Sequence, residues 1–151
     1  MKYWDIGQVL TYNRRFNFIN GPRSIGKTYT SEKFMIKRAI ESEQQFFYIV
    51  RTQYDLLNHA MEDGLAKVIS REFGEHEIDI DNRSCRIKEK GKWRILGHCL
   101  AISESAKIRR KSFPQGKWLL FDEYMLAPED SGGYVNGWRE PDKFLSIYHT
   151  I

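Results

Sequence analysis

The octet Gly21-Pro22-Arg23-Ser24-Ile25-Gly26-Lys27-Thr28 satisfies every fixed position of the pattern G-x-x-x-x-G-K-[ST]. No other stretch constrains the fold as much. A loop of this kind needs a strand to deliver it and a helix to leave from it, because its anion-binding groups are backbone N–H groups at a helix start. The flanks suit that context. The apolar run Phe16-Asn17-Phe18-Ile19 precedes the loop and is expected to be the strand. After it, Tyr29, Met35, Ile36, Ala39 and Ile40 recur near a 3.6-residue period, with Lys33, Lys37 and Glu41 opposite. That pattern predicts an amphipathic helix of about four turns starting near Lys27.

The continuous run Phe46-Phe47-Tyr48-Ile49-Val50 reads as a strand covered on both faces, as in a parallel sheet. Strand, helix and strand then make a right-handed crossover unit. A second helical pattern spans Asp55 to Phe73, with Leu57, Ala60, Met61, Leu65, Val68 and Ile69 as its stripe, Gly64 as a point of weakness and Gly74 as its cap. Alternation in Glu77-Ile78-Asp79-Ile80-Asp81 and Cys85-Arg86-Ile87-Lys88, followed by Trp93-Arg94-Ile95, predicts a small antiparallel insertion, and Leu96 to Ser103 a strand returning to the main sheet. The segment up to Arg15 reads as an arm or short helix beside the loop; Tyr12, Asn13 and Arg14 either pack on the core or reach a base. Pro141 is placed as the first residue of a terminal helix carrying Phe144, Leu145, Ile147, Tyr148 and Ile151.

The bulk properties narrow the class. With 151 residues, 41% of them hydrophobic and 14% aromatic, the chain is expected to pack as one domain, not to stay disordered. No run approaches the roughly 18 apolar residues of a membrane span, and the N-terminus lacks signal-peptide order, so a cytoplasmic protein with no membrane partner is expected. A net charge of +4 suits a polyanion without demonstrating one. Cys85 and Cys99 lack metal-ligand spacing and read as buried thiols or surface bystanders.

The chemistry follows from residue types. In such a loop the glycines let backbone wrap phosphate without Cβ clashes, Lys27 neutralises the β- and γ-phosphates, and Thr28 offers its hydroxyl to Mg²⁺. Ser24 and Ile25 occupy ordinary loop positions; Arg23 either reaches phosphate or stays solvated. Hydrolysis of ATP needs a second constellation, and Leu119-Leu120-Phe121-Asp122-Glu123 supplies it as an apolar strand delivering two acids. Asp122 is expected to hold the Mg²⁺ shell and Glu123 to polarise the attacking water. A Glu directly after the Asp points to the ATPase class with an additional strand between the two motif-bearing strands. The expected fold is therefore an α/β P-loop NTPase of this catalytic-glutamate type, a mostly parallel sheet flanked by helices. The basic run Lys107, Arg109, Arg110 and Lys111 is either a solvated loop or a charge delivered to a neighbouring subunit or to DNA.

Tyr12-Asn13-Arg14-Arg15-Phe16-Asn17-Phe18-Ile19, the loop, Glu43 to Arg51 and Leu119-Leu120-Phe121-Asp122-Glu123-Tyr124 together resemble the DNA packaging ATPases of phi29-like bacteriophages. The resemblance covers nearly the whole chain, and only the N-terminal ATPase domain of that family. It implies an ATP- and Mg²⁺-dependent motor that drives double-stranded DNA into a viral prohead. It further implies a homopentameric ring docked on the portal, through a structural RNA in phi29 itself, in the host cytoplasm and transiently at the portal vertex. It places a trans-acting basic residue before Ser112-Phe113-Pro114, with Arg109 the best match and Arg110 and Lys111 as neighbours. The family's arginine finger follows the stretch resembling Phe144 to Ile151, so residues 1–151 are expected to be the N-terminal part of a longer motor whose core continues. Rival readings are a nucleotide-dependent assembly switch with little turnover, and another DNA translocase or helicase.

Overall fold

The computed structural model describes residues 4–22, 24–56, 64–81, 83–122 and 139–151. In chain order the elements are α1 (Ile6–Leu10), α2 (Lys27–Glu41), β1 (Gln45–Val50), α3 (Gln53–Asp55), α4 (Ala66–Glu72), β2 (Ile78–Asp81), β3 (Ser84–Glu89), β4 (Lys92–Ala101), α5 (Ser105–Ile108), β5 (Gly116–Phe121) and α6 (Glu140–Tyr148). A 3-10 turn, Ile102–Glu104, joins β4 to α5.

The apolar run of β1 is buried on both faces because it lies inside the sheet, whose order is β2-β3-β4-β1-β5. β1 is parallel to both β4 and β5. Alternate residues of β1 feed two cores. Phe46, Tyr48 and Val50 pack with Met35, Ile36 and Ala39 of α2 and Val68 and Ile69 of α4. On the opposite face, Phe47 and Ile49 pack with Leu100, Ile102, Ile108, Phe113 and Ile147, beneath α5 and α6. Helices on both sides of a parallel centre are the layering that strand, helix, strand order requires.

Three expectations need correction. The sheet is mixed: β3 is antiparallel to both β2 and β4, and these strands continue the same sheet, not a separate insertion. The two strands expected from Trp93 to Ser103 are one ten-residue strand, β4, whose Gly97 and His98 belong to the ladders of both β3 and β1. Gly97 has no side chain to hold β4 off β1, since a Cβ there would lie 2.5 Å from the Phe46 ring, and the ladder to β3 shifts register at Leu96 without ending the strand. Third, Phe16-Asn17-Phe18-Ile19 is irregular and Phe18 is 77% exposed. A strand needs a partner edge, and a short run broken by Asn17 supplies neither length nor strong propensity. The Phe16 ring lies instead 4.9 Å from that of Tyr148 in α6.

Other elements follow the sequence closely. α2 runs for 15 residues with Met35, Ile36 and Ala39 buried. The hairpin between β3 and β4 turns through Lys90 and Gly91, both at positive φ (50° and 77°), the backbone that a two-residue primed turn demands. In the region expected to be helical from Asp55 to Phe73, α3 is capped by Thr52 and Asp55 reciprocally, and α4 buries Val68 and Ile69; Leu57, Ala60 and Met61 lie outside the described residues. Pro141 opens α6. Cys85 and Cys99 are buried free thiols. Among the described residues, no helix is long and apolar enough to cross a membrane.

Candidate functional site

The site is built where α2 begins. Gly26 caps the helix in the left-handed region at φ 85°, and Ser24 also sits at positive φ, 65°. Only glycine adopts such backbone without penalty, and alternating hand turns successive N–H groups toward one side of a loop. Thr30 Oγ1 donates to the Gly26 carbonyl at 2.8 Å and ties the first turn to its cap. The N-terminal arm closes over the loop through a 3.1 Å hydrogen bond from Trp4 N to Ile25 O. Lys27 reaches back along the loop, its Nζ donating to the carbonyls of Gly21 (2.8 Å) and Pro22 (2.6 Å). Tyr12, beyond the arm, is exposed.

The second motif meets the first. Asp122, at the end of β5, accepts a 3.1 Å hydrogen bond on Oδ1 from Thr28 Oγ1, although the two are 94 positions apart. The other carboxylate oxygen, Oδ2, accepts from the Tyr48 hydroxyl at 3.3 Å. Glu32 of α2 lies beside the same Tyr48 hydroxyl. Glu32 is 2% exposed and Tyr48 4%, and Glu32 Oε1 has no hydrogen-bond partner among the described residues. Burial, reinforced by the charge of Asp122, pushes the Glu32 carboxyl up to about 7 against the stabilising influence of the Tyr48 hydroxyl. Burial and then the neighbouring Glu32 and Asp122 push the Tyr48 phenol far above its ordinary range, so it remains a donor.

Hydroxyl and carboxylate oxygens are the hard donors that Mg²⁺ prefers, and one or two protein ligands suffice where phosphates supply others. The pair Thr28–Asp122 fits that requirement. No group of three or more His, Cys, Asp or Glu side chains suited to a metal occurs among the described residues. Lys27, Thr28 and Asp122 are thus brought together. Glu123 and Arg23 lie outside the described residues. Arg109 is exposed in the turn after α5, on the sheet face opposite α2, and is not brought to Lys27 or Thr28.

The sequence profile of the Podovirus DNA encapsidation protein (Gp16) family matches residues 1–148. This chain belongs to that family. Among its relatives, a DNA packaging protein of Bacillus phage B103 is 30% identical over 145 residues, which are 95% of this chain and 41% of the relative. The chain therefore spans less than half the length of that relative. Its fold is similar to the crystal structure of the N-terminal domain of the DNA packaging ATPase from bacteriophage phi29, with a TM-score of 0.84 and 25% identity over 99% of this chain and 72% of that one. It is also similar to a chain of the bacteriophage phi29 viral genome packaging motor assembly, with a TM-score of 0.78 and 25% identity over 100% of this chain and 43% of that one.

Two members of this Gp16-family site escape the sequence reading. Glu32 falls four residues after Thr28, on the side of α2 that also carries Met35, Ile36 and Ala39, so the 3.6 period alone places it inward. Tyr48 is the one residue of the run Phe46 to Val50 with a polar group, and a buried hydroxyl demands a partner.

Proposed function

We propose that this chain is the Mg²⁺-dependent ATP-hydrolysing region of a phage DNA packaging motor. The observation that carries it is the meeting of Thr28 and Asp122 at 3.1 Å, joining the glycine-rich loop to the acidic end of β5. Gly21 to Thr28 would bind the phosphates through backbone N–H groups and the positive end of α2. Lys27, whose ammonium already lies along the loop, would neutralise the β- and γ-phosphates. Thr28 and Asp122 would hold Mg²⁺, which when bound supplies charge neutralisation on the phosphate oxygens. Glu123, the residue after Asp122, would orient and deprotonate water.

Arg109 lies in the turn after α5, on the sheet face opposite α2. Its exposed position suits a cation presented to a neighbouring subunit, where it would stabilise charge developing on the transferred phosphoryl group. In this reading the chain works in a homopentameric ring at the prohead portal, acting on double-stranded DNA; membership of a DNA encapsidation family and the likeness to a chain of a packaging motor assembly support it.

The test is nucleotide binding and turnover in three variants. Lys27→Ala is expected to lose ATP binding. Glu123→Gln is expected to keep binding and lose hydrolysis by at least about 100-fold. Arg109→Ala mixed with Glu123→Gln subunits is expected to recover part of the activity that neither shows alone. Wild-type affinity in Lys27→Ala overturns the phosphate-binding role of the loop. Binding without turnover in the wild-type protein, whether or not DNA and prohead are present, replaces the motor with a nucleotide-dependent switch.

A further inference from the structure

Three elements converge on one carboxylate. α2 contributes Thr28 and, one turn later on the same side, Glu32; β1 contributes Tyr48; Asp122 directly follows β5. Each oxygen of Asp122 accepts from a different hydroxyl, Oδ1 from Thr28 at 3.1 Å and Oδ2 from Tyr48 at 3.3 Å. A carboxylate on a single rotatable arm is thereby fixed about its terminal torsion, which is otherwise broad.

Packing does not call for this arrangement. A phenylalanine at position 48 would fill nearly the same volume, as Phe46 and Phe47 do on the same strand. What the tyrosine adds is one oxygen, and that oxygen's described neighbours are two acids. Glu32 is stranger still. A side chain that is 2% exposed, with one oxygen lacking a partner and another carboxylate nearby, costs stability in the folded state. Glu32 sits buried beside the same hydroxyl. Thr28, having given its proton to Asp122, keeps its lone pairs for a cation.

We infer that Tyr48, backed by Glu32, is a positioning residue that orients the Asp122 carboxylate toward Thr28 and so sets the protein's affinity for magnesium with nucleotide. The inference rests on the proposed role of Thr28 and Asp122 as the groups that hold magnesium. Neither Tyr48 nor Glu32 touches the ion in this scheme. They act as outer-shell partners, whose removal from metal sites elsewhere weakens metal affinity by roughly 10- to 100-fold.

The test uses a fluorescent ATP analogue, its affinity measured with saturating Mg²⁺ and again in EDTA. In the wild-type protein the ratio of the two affinities reports the gain due to magnesium. Tyr48→Phe is expected to reduce that gain about tenfold while leaving affinity in EDTA within twofold. Glu32→Leu should do the same, and Glu32→Gln, whose amide keeps a polar group beside the phenol, should retain most of the gain. A purely structural role would lower the melting temperature of Tyr48→Phe and leave the ratio intact, and that result overturns the inference while the proposed function stands. If the wild-type protein binds the analogue but gains nothing from Mg²⁺, the roles of Thr28 and Asp122 fall and the positioning role falls with them.

Discussion

Two buried polar groups flank the same end of β1, and they are built on opposite logic. On the α6 face, Arg51 Nε donates to both oxygens of Glu140, at 3.0 and 2.9 Å, and the guanidinium lies 5.7 Å from the centre of the Phe121 ring. On the α2 face, only three residues back along the chain, Tyr48 joins two acids, Glu32 and Asp122. Burial is similar, with Arg51, Glu140, Glu32 and Tyr48 all inside. The first group is closed: opposite charges meet and both carboxylate oxygens are used. The second holds like charges together and leaves Glu32 Oε1 without a partner among the described residues. A closed pair pins α6 to the sheet. A group that the fold holds at a cost, beside the loop and the end of β5, is where function is to be sought.

Breaking the closed pair should have the largest effect. Removing Glu140 takes from the buried Arg51 its bidentate carboxylate, so Glu140→Leu is expected to lower stability by about 3–5 kcal/mol in urea unfolding, a fall of roughly 10 °C in Tm. The double variant Arg51→Met with Glu140→Leu should recover most of that loss, because the desolvation penalty goes with the charges. Additive losses would show that the pair does not act as a unit.

The open group should respond in the other direction, and with pH. Glu32 is raised from 4.5 in the unfolded chain to about 7 in the fold, so the native state holds the proton more tightly. Stability on this account is fully present below about pH 4.5 and is lost as pH rises through 7. Glutamine carries no such loss. Glu32→Gln should therefore match the wild-type protein near pH 4.5 and gain on the order of 2 kcal/mol by pH 8. The same difference at both pH values would mean that Glu32 enters the fold already ionised, and the contrast between the two groups would collapse.

The smallest change belongs to the rim. Lys33 and Glu72 pair between α2 and α4 with Lys33 half exposed, and Glu72 also accepts from Tyr29. Exposed pairs gain little after screening, so Lys33→Ala should cost less than about 1 kcal/mol and less again in high salt. A larger loss, insensitive to salt, would move this pair into the closed class beside Arg51–Glu140.

The sequence made some of this visible and hid the rest for physical reasons. α2, β1 and the β3–β4 hairpin were legible because period, continuous apolarity and the Lys90-Gly91 turn each have one local cause. The meeting of Thr28 with Asp122 was legible because both motifs carry fixed chemistry. What could not be read locally was pairing. Phe16 to Ile19 has the composition of a strand, yet a strand exists only through its neighbour's edge. The union of β2 and β3 with the main sheet is likewise a tertiary fact, decided where Gly97 lets β4 lie against Phe46. Glu32 was hidden by residue type: a glutamate among Lys33, Lys37 and Glu41 reads as solvent-facing, and only its phase on the helix says otherwise.

β4 deserves its place in the molecule for a mechanical reason. One strand, with a register shift at Leu96 on its β3 side, is antiparallel to β3 through its first part and parallel to β1 through its second, with Gly97 and His98 shared. Inter-strand hydrogen bonds lie across the strand direction in the antiparallel half and at a slant in the parallel half. A pull along β4 from the hairpin therefore loads many bonds at once in shear and does not peel them one by one. The ladder works as a stiff tie rod from the hairpin to β1, whose Tyr48 and Arg51 hold the two buried polar groups.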